Sequence, residues 1–167
     1  RRRAFNIESL TVGHTETPGI SRLTMVVDGA TTIVEQVVKQ LYKLIDVVKV
    51  SDLTHDETVH RELALIKVAA TASTRADITS VVELFRAKVV DVAPDSLIVE
   101  ATGSEDKIDS LIAMLRSFGI KEMVRTGRIS MLRGLQGTTK IPDEPVQLKK
   151  YRVLTRSDRH ATAVNDI

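Results

Sequence analysis

The chain has no cysteine, and aromatic side chains make up only 3% of its 167 residues. Without cysteine it can form neither a disulfide framework nor a thiolate metal site. A small secreted fold would then lack its usual staples, so an intracellular location is expected. The cytoplasm of a bacterium comes first; an organelle stays open, because a transit peptide would lie ahead of Arg1. Scarce aromatics remove the stacking platform on which a sheet carries single-stranded RNA. No apolar run approaches the length of a membrane span. A strong charge of either sign is also missing, with 24 basic residues against 22 acidic ones. From residue 135 onward Lys140, Lys149, Lys150, Arg152, Arg156 and Arg159 oppose Asp143, Glu144, Asp158 and Asp166, which leaves 18 of each sign before them. Residues 1–134 are therefore neutral overall, and no basic face for nucleic acid is indicated.

What is present is the composition of an ordinary globular protein, 43% hydrophobic and 28% charged, so the chain should fold rather than remain disordered. Its length suits one medium domain or two small ones that need partners. The pattern favours two. "FNIESLTVG" and "SRLTMVVDG" are strand-like runs flanking "HTETPG", whose Pro18-Gly19 pair signals a turn. Leu23, Met25 and Val27 alternate as one buried strand face requires. "TTIVEQVVKQLYKLI" then sets Val34, Val37, Val38 and Leu41 on one helical stripe, and "DVVKV" is expected to be a further strand.

After the polar connector "SDLTHDETVH" the second half starts with "RELALIKVAA" as a strand. The helix "TRADITSVVELFRA" follows, with Thr74 as N-cap and Ile78, Val81, Val82 and Phe85 on its inner face. "KVVDV", a Pro94-Asp95 turn and "SLIVEATG" form a hairpin. Ser104 caps a helix with Glu105 and Asp106 in its electropositive first turn, Ile108, Leu111, Ile112 and Leu115 on its core stripe and Gly119 at its end. "IKEMVRTGRISM" is the last strand. The order strand, helix, strand, strand, helix, strand is ferredoxin-like, an α+β arrangement with two helices over a four-stranded antiparallel sheet. The first half repeats this unit without its opening strand and most of its first helix. "RRRAF" is then the last turn of that helix, where basic residues suit the macrodipole. The expected division is 1–54, 61–134 and a polar tail, 135–167, that is mobile or docks on a partner.

Catalytic and metal chemistry find little support. His14, His55, His60 and His160 are scattered over turn, linker and tail, with no metalloprotease-like i, i+4 spacing. "VRTGRIS" and "LRGLQG" lack the spacing of a phosphate loop opening a helix. Glu35, Glu83, Asp106 and Asp109 fall on polar helix faces and read as solvated, as does the acidic connector from Asp52 to Glu57. Two small modules whose sheet edges favour pairing, with clefts between them, fit a regulatory or assembly role better than an enzyme.

The runs "FNIESLTVG", "SRLTMVV", "QVVKQLYKLIDVVKVSDL", "RELALIKV", "ELFRAKVVDVAPDSLIVEATG" and "FGIKEMVRTGRISMLRG" resemble, in order, the regulatory (small) subunit family of acetohydroxyacid synthase, or acetolactate synthase. The resemblance covers residues 1 to about 134 and leaves the tail uncovered. It implies two ACT-type domains and a non-catalytic subunit that stimulates a separate catalytic subunit and confers feedback inhibition by valine in branched-chain amino-acid biosynthesis. Thiamine diphosphate, magnesium and FAD would belong to that catalytic subunit, and no cofactor to this chain. The resemblance further implies an ACT homodimer with valine between two protomers. One half of that pocket maps onto Asn6, whose amide would meet the amino acid's charged groups, and Ile7, which offers backbone groups and an apolar wall. The other half would precede Arg1. From turn propensity alone, Asn6 is a residue entering the strand or capping the helix before it. A stand-alone ACT-type amino-acid sensor and a ferredoxin-like RNA-binding module are the alternative readings.

Overall fold

The computed structural model describes residues 6–28 and 31–134, the side chains of Thr31 and Thr32 excepted. The expected helical turn at "RRRAF" and the 135–167 tail lie outside the described residues. Strands β1 (Asn6–His14) and β2 (Ser21–Asp28) form an antiparallel two-stranded sheet. Their turn closes through Thr15 N donating to Ile20 O at 3.1 Å. Gly19 takes φ 81° within it, which is why glycine follows Pro18.

The register of this hairpin sorts its residues. Directly opposed residues share a face, and a one-residue slip exchanges the faces. A bulge between Ile7 and Ser9 inserts Glu8 as an extra residue. It brings Ile7, three positions from Leu10, onto the same face. Ile7, Leu10 and Val12 thus align with Val27, Met25 and Leu23, while Ser9, Thr11 and Gly13 align with Val26, Thr24 and Arg22 on the other face. Leu23, Met25 and Val27 do share a face, as their alternation predicts, but that face is not closed over. Ile7 is 44%, Leu10 49%, Val12 60% and Leu23 49% exposed.

Helix α1 (Thr31–Leu41) carries the predicted stripe, with Val37 buried and Val34, Val38 and Leu41 half-buried. It ends earlier than the periodicity suggests. Lys43 N donates to Gln40 O at 3.1 Å and Leu44 N to Leu41 O at 3.0 Å, the tightened i→i−3 bonds of a closing helix end. The expected strand at "DVVKV" does not form. Among the described residues no neighbouring strand offers that segment a ladder, and Val50 is tied instead to the hydroxyl of Tyr42, which donates to Val50 O at 3.0 Å. β propensity alone does not make a strand.

Beyond the connector come β3 (Thr58–Ala69), α2 (Arg75–Leu84), β4 (Lys88–Ala93), β5 (Ser96–Gly103), α3 (Glu105–Leu115), a short 3-10 turn (Arg116–Phe118), β6 (Ile120–Arg125) and β7 (Ile129–Leu132). The sheet runs β4-β5-β3-β6, all antiparallel, with β7 pairing the first residues of β3. This is the ferredoxin-like order, with the opening strand of the unit beside both of its last two strands. Alternate residues Ala64, Ile66 and Val68 of β3 and Leu97, Val99 and Ala101 of β5 meet Ile78 and Val82 of α2 and Ile108, Leu111 and Leu115 of α3 in one core. Each fully buried Leu or Ile contributes about 1.5–3 kcal/mol relative to exposure.

Two details depart from the sequence reading. Thr74 already has helical backbone angles, and its hydroxyl makes no cap hydrogen bond. It accepts from Thr71 N at 2.9 Å, so the helix is anchored one turn earlier, with Arg75 N donating to Thr71 O at 3.1 Å. The single last strand expected at "IKEMVRTGRISM" is two, broken at Thr126–Arg128 where Gly127 takes φ 82°. A glycine inside a strand pattern is the signal for such a break.

Candidate effector strand and the seam between the modules

Asn6 and Ile7 open β1, opposite Asp28 and Val27, and both are exposed. Facing alternation separates them. Ile7 joins the open apolar face, and Asn6 projects with Ser9 and Thr11 towards the face that meets the second module. The two side chains therefore do not share one face of the hairpin, and a ligand touching both would sit at the open end of β1 rather than on either face.

The polar face of the hairpin abuts β3, β6 and β7 along two cavities. One, of about 430 Å³, is lined by Glu8, Ser9 and Val26 on the hairpin and by Glu62, Arg125 and Arg128 opposite. The other, of about 640 Å³, lies between Thr11, Gly13 and Thr24 and the β3–β7 ribbon at Val59, Arg61 and Met131. Between them Thr11 Oγ1 donates to Thr126 O at 3.0 Å.

The seam is charged on one side. Glu62, 8% exposed, accepts from Arg125, which also donates to Asp109 Oδ1 of α3 at 2.7 Å. The guanidinium of Arg125 is held above its already high range chiefly by the Glu62 hydrogen bond, with Asp109 adding to it against the cost of partial burial. Arg128 pairs with Glu105 in the first turn of α3. Asp109 is exposed, as expected, and is also a partner in this network. Glu35 sits as expected on an outer helix face, near Lys39 at 3.8 Å. In the connector Thr54 donates through its amide (3.0 Å) and hydroxyl (2.5 Å) to Asp52 Oδ1, which lowers the carboxyl pKa of Asp52. Asp52 thus opens a local Asx turn, while the acidic residues of the connector are exposed, as expected. His14 lines the larger cavity, His60 lies in β3 between two residues that line it, and His55 lies in the connector; His160 lies outside the described residues. Among the described residues no three His, Asp or Glu side chains converge as metal ligands, and no helix is long and apolar enough to cross a membrane.

The sequence reading reached Asn6 and Ile7 through the family resemblance. It missed Glu62, Arg125, Thr126 and Gly127, of which only Gly127 carried a local signal. A ferredoxin-like βαββαβ module joined to a bulged hairpin with its own helix defines a two-module α+β protein of the ACT-type class. Comparison with known proteins narrows this. Residues 1–49 match the family described as an AHAS small subunit-like ACT domain, and residues 61–134 match the small subunit of acetolactate synthase. A probable acetolactate synthase small subunit of Archaeoglobus fulgidus is 53% identical over 134 residues, 80% of this chain and 84% of that protein. The acetolactate synthase small subunit of Bacillus subtilis is 54% identical over 137 residues, 81% of this chain and 79% of that one. The crystal structure of the acetolactate synthase small subunit from Thermotoga maritima superposes with a TM-score of 0.73 at 44% identity, covering 80% of this chain and 83% of that one. The chain belongs to the acetolactate synthase small-subunit family.

Proposed function

We propose that this chain is the non-catalytic regulatory subunit of an acetolactate synthase. It binds a separate catalytic subunit in the cytoplasm, raises its activity and makes it sensitive to valine, the end product of one branch of the pathway. Thiamine diphosphate, magnesium and FAD reside in the catalytic subunit. The first module, 1–54, receives the effector, the second, 61–134, is the ACT-like partner, and the 135–167 tail is an accessory. The observation that carries this reading is identity of more than half over both modules with proteins named as small subunits. The open face of β1 and β2 supports the finer part. A two-stranded sheet with Ile7, Leu10 and Leu23 exposed is marginal by itself. A second copy that covers it would enclose an apolar wall at Ile7 for an aliphatic side chain, with Asn6 reaching the amino acid's charged groups from the open end of the strand.

The test mixes the full chain with an acetolactate synthase catalytic subunit and follows acetolactate formation with and without valine. Stimulation that saturates with added chain, then falls with valine, is the expected result. Asn6→Ala should weaken valine binding several-fold, through loss of charge-assisted hydrogen bonds. Saturating chain that leaves the catalytic rate unchanged would refute the regulatory assignment. Valine binding without stimulation would identify a free-standing sensor instead.

A further inference from the structure

We infer that the turn Thr126–Gly127–Arg128 is the joint that couples the effector strand to the second module, with Thr126 and Gly127 as its positioning residues. This rests on the regulatory reading above and names where the signal crosses. On the first-module side, the turn is held against β1 by the Thr11 hydroxyl, which donates to Thr126 O at 3.0 Å. Gly127 approaches so closely that a Cβ built there would lie 3.0 Å from Thr11 Oγ1 and 3.1 Å from Ser9 Cβ. Its φ of 82° disfavours any side chain independently. Glycine is therefore favoured here by the backbone angle, and any side chain would also force Thr11 and Ser9 to give by a few tenths of an ångström.

On the second-module side, the same three residues are bound to the central strand and to a helix. Thr126 N donates to Leu63 O at 3.0 Å, and Leu63 N donates to Thr126 Oγ1 at 3.1 Å, so the threonine side chain stands in where the ladder is interrupted. Arg128 pairs with Glu105 at the start of α3. Asn6 and Ile7 lie on the same strand as Ser9 and Thr11, across the bulge at Glu8. A ligand that repositions the start of β1 must therefore move the turn, break the Thr11 contact or be absorbed by the bulge. In the first case the movement reaches β3 and α3 directly, because interfaces of packed elements shift between arrangements rather than deform continuously.

Physical continuity alone does not establish coupling, so the test measures coupling. Full chains carrying Gly127→Ala or Thr11→Val are compared with wild type by calorimetric valine binding to the uncomplexed chain, by stimulation of the catalytic subunit and by valine inhibition of the mixture. The expected result is a split: valine binding and stimulation stay at wild-type levels, while half-inhibition by valine rises at least about fivefold, the lower end of ordinary allosteric coupling. A purely structural role would lower binding, stimulation and inhibition together. Should Gly127→Ala fail to fold, Thr11→Val carries the test. Inhibition curves that coincide with wild type in the folded variants overturn the proposal. Amide exchange on the uncomplexed chain separates this from failure of the functional reading. If the wild type neither stimulates nor responds to valine, faster exchange at Leu63 and Thr126 in the variants still reports a mechanical joint, and unchanged exchange removes it.

Discussion

The two modules solve the same folding problem to different degrees. In the second, both helices press an unbroken apolar stripe onto alternate residues of β3 and β5, and Ile66, Ile78, Val99 and Leu111 have no exposed surface. In the first, Val37 is the one buried apolar residue among the described residues, and the hairpin's apolar face is open. The second module therefore has a core of its own. The first has the pattern of a core, but among the described residues its strand face stays largely open. A regulatory module gains from this, because its least stable part is the part a ligand or a second copy can reshape.

The comparison is broken most directly by equivalent truncations on its two sides. Leu111→Ala should cost about 2–5 kcal/mol, because the site is fully enclosed and leaves a cavity. Leu10→Ala, on the open face of β1, should change the stability of the dilute chain by no more than about 0.5 kcal/mol. The same Leu10→Ala chain should self-associate less readily, which sedimentation at rising concentration reads while urea unfolding reads stability. Equal losses of stability from the two substitutions would show that the first module has a closed core after all.

A smaller effect is expected where the modules meet. Glu62→Ala leaves the guanidinium of Arg125 with only Asp109 and should destabilise by about 1–3 kcal/mol, the cost of removing a buried partner from a charged hydrogen bond. Asp109→Ala should cost less than about 1 kcal/mol, since Asp109 is largely solvated and its pairing is screened. Urea unfolding of both variants checks the order. A larger loss from Asp109→Ala would show that the network is anchored on α3 rather than on β3.

These two regions also differ in how far their sequence announces them. The second module's helices and its hairpin at Pro94-Asp95 follow from local period and turn chemistry, because every contact that shapes them repeats within one helix turn or one strand pair. The hairpin of the first module follows too, but the bulge at Glu8 that sets its faces does not, since register is decided by the partner strand. "DVVKV" has the composition of a strand and no neighbour to pair with among the described residues. The network of Glu62, Asp109 and Arg125 joins residues up to 63 apart and has no local pattern, so the pairing of the exposed Asp109 is not visible until β6 is laid beside β3. Asn6 and Ile7 are in the same position. Nothing in a single Asn-Ile pair distinguishes an effector site from a strand entry, and only the resemblance along the whole chain singles them out.

The smallest expected effect lies at the far end of the second module, away from the first. At the β4–β5 turn Lys121 Nζ donates to Asp95 Oδ2 at 2.8 Å, and this hydrogen bond holds the carboxyl below its ordinary range, aided by the lysine's charge. A carboxylate with a depressed native pKa stabilises the fold above its unfolded pKa, near 3.9, and loses that contribution as pH falls through the lower native value. Lys121→Met should therefore move the Asp95 titration, followed by NMR, up towards that of an unpaired carboxylate. Its slight destabilisation at neutral pH should vanish once pH falls below both pKa values. Because the pair is exposed, added salt should shrink the difference between the two proteins. The response of the hairpin in the first module should be nil, since the turn is held by Ala70, Arg75 and Lys121 of the second module. Chemical shifts in β1 that follow the Asp95 titration would show that the second module transmits strain from end to end, and that the seam at Thr126 is not where the two modules part.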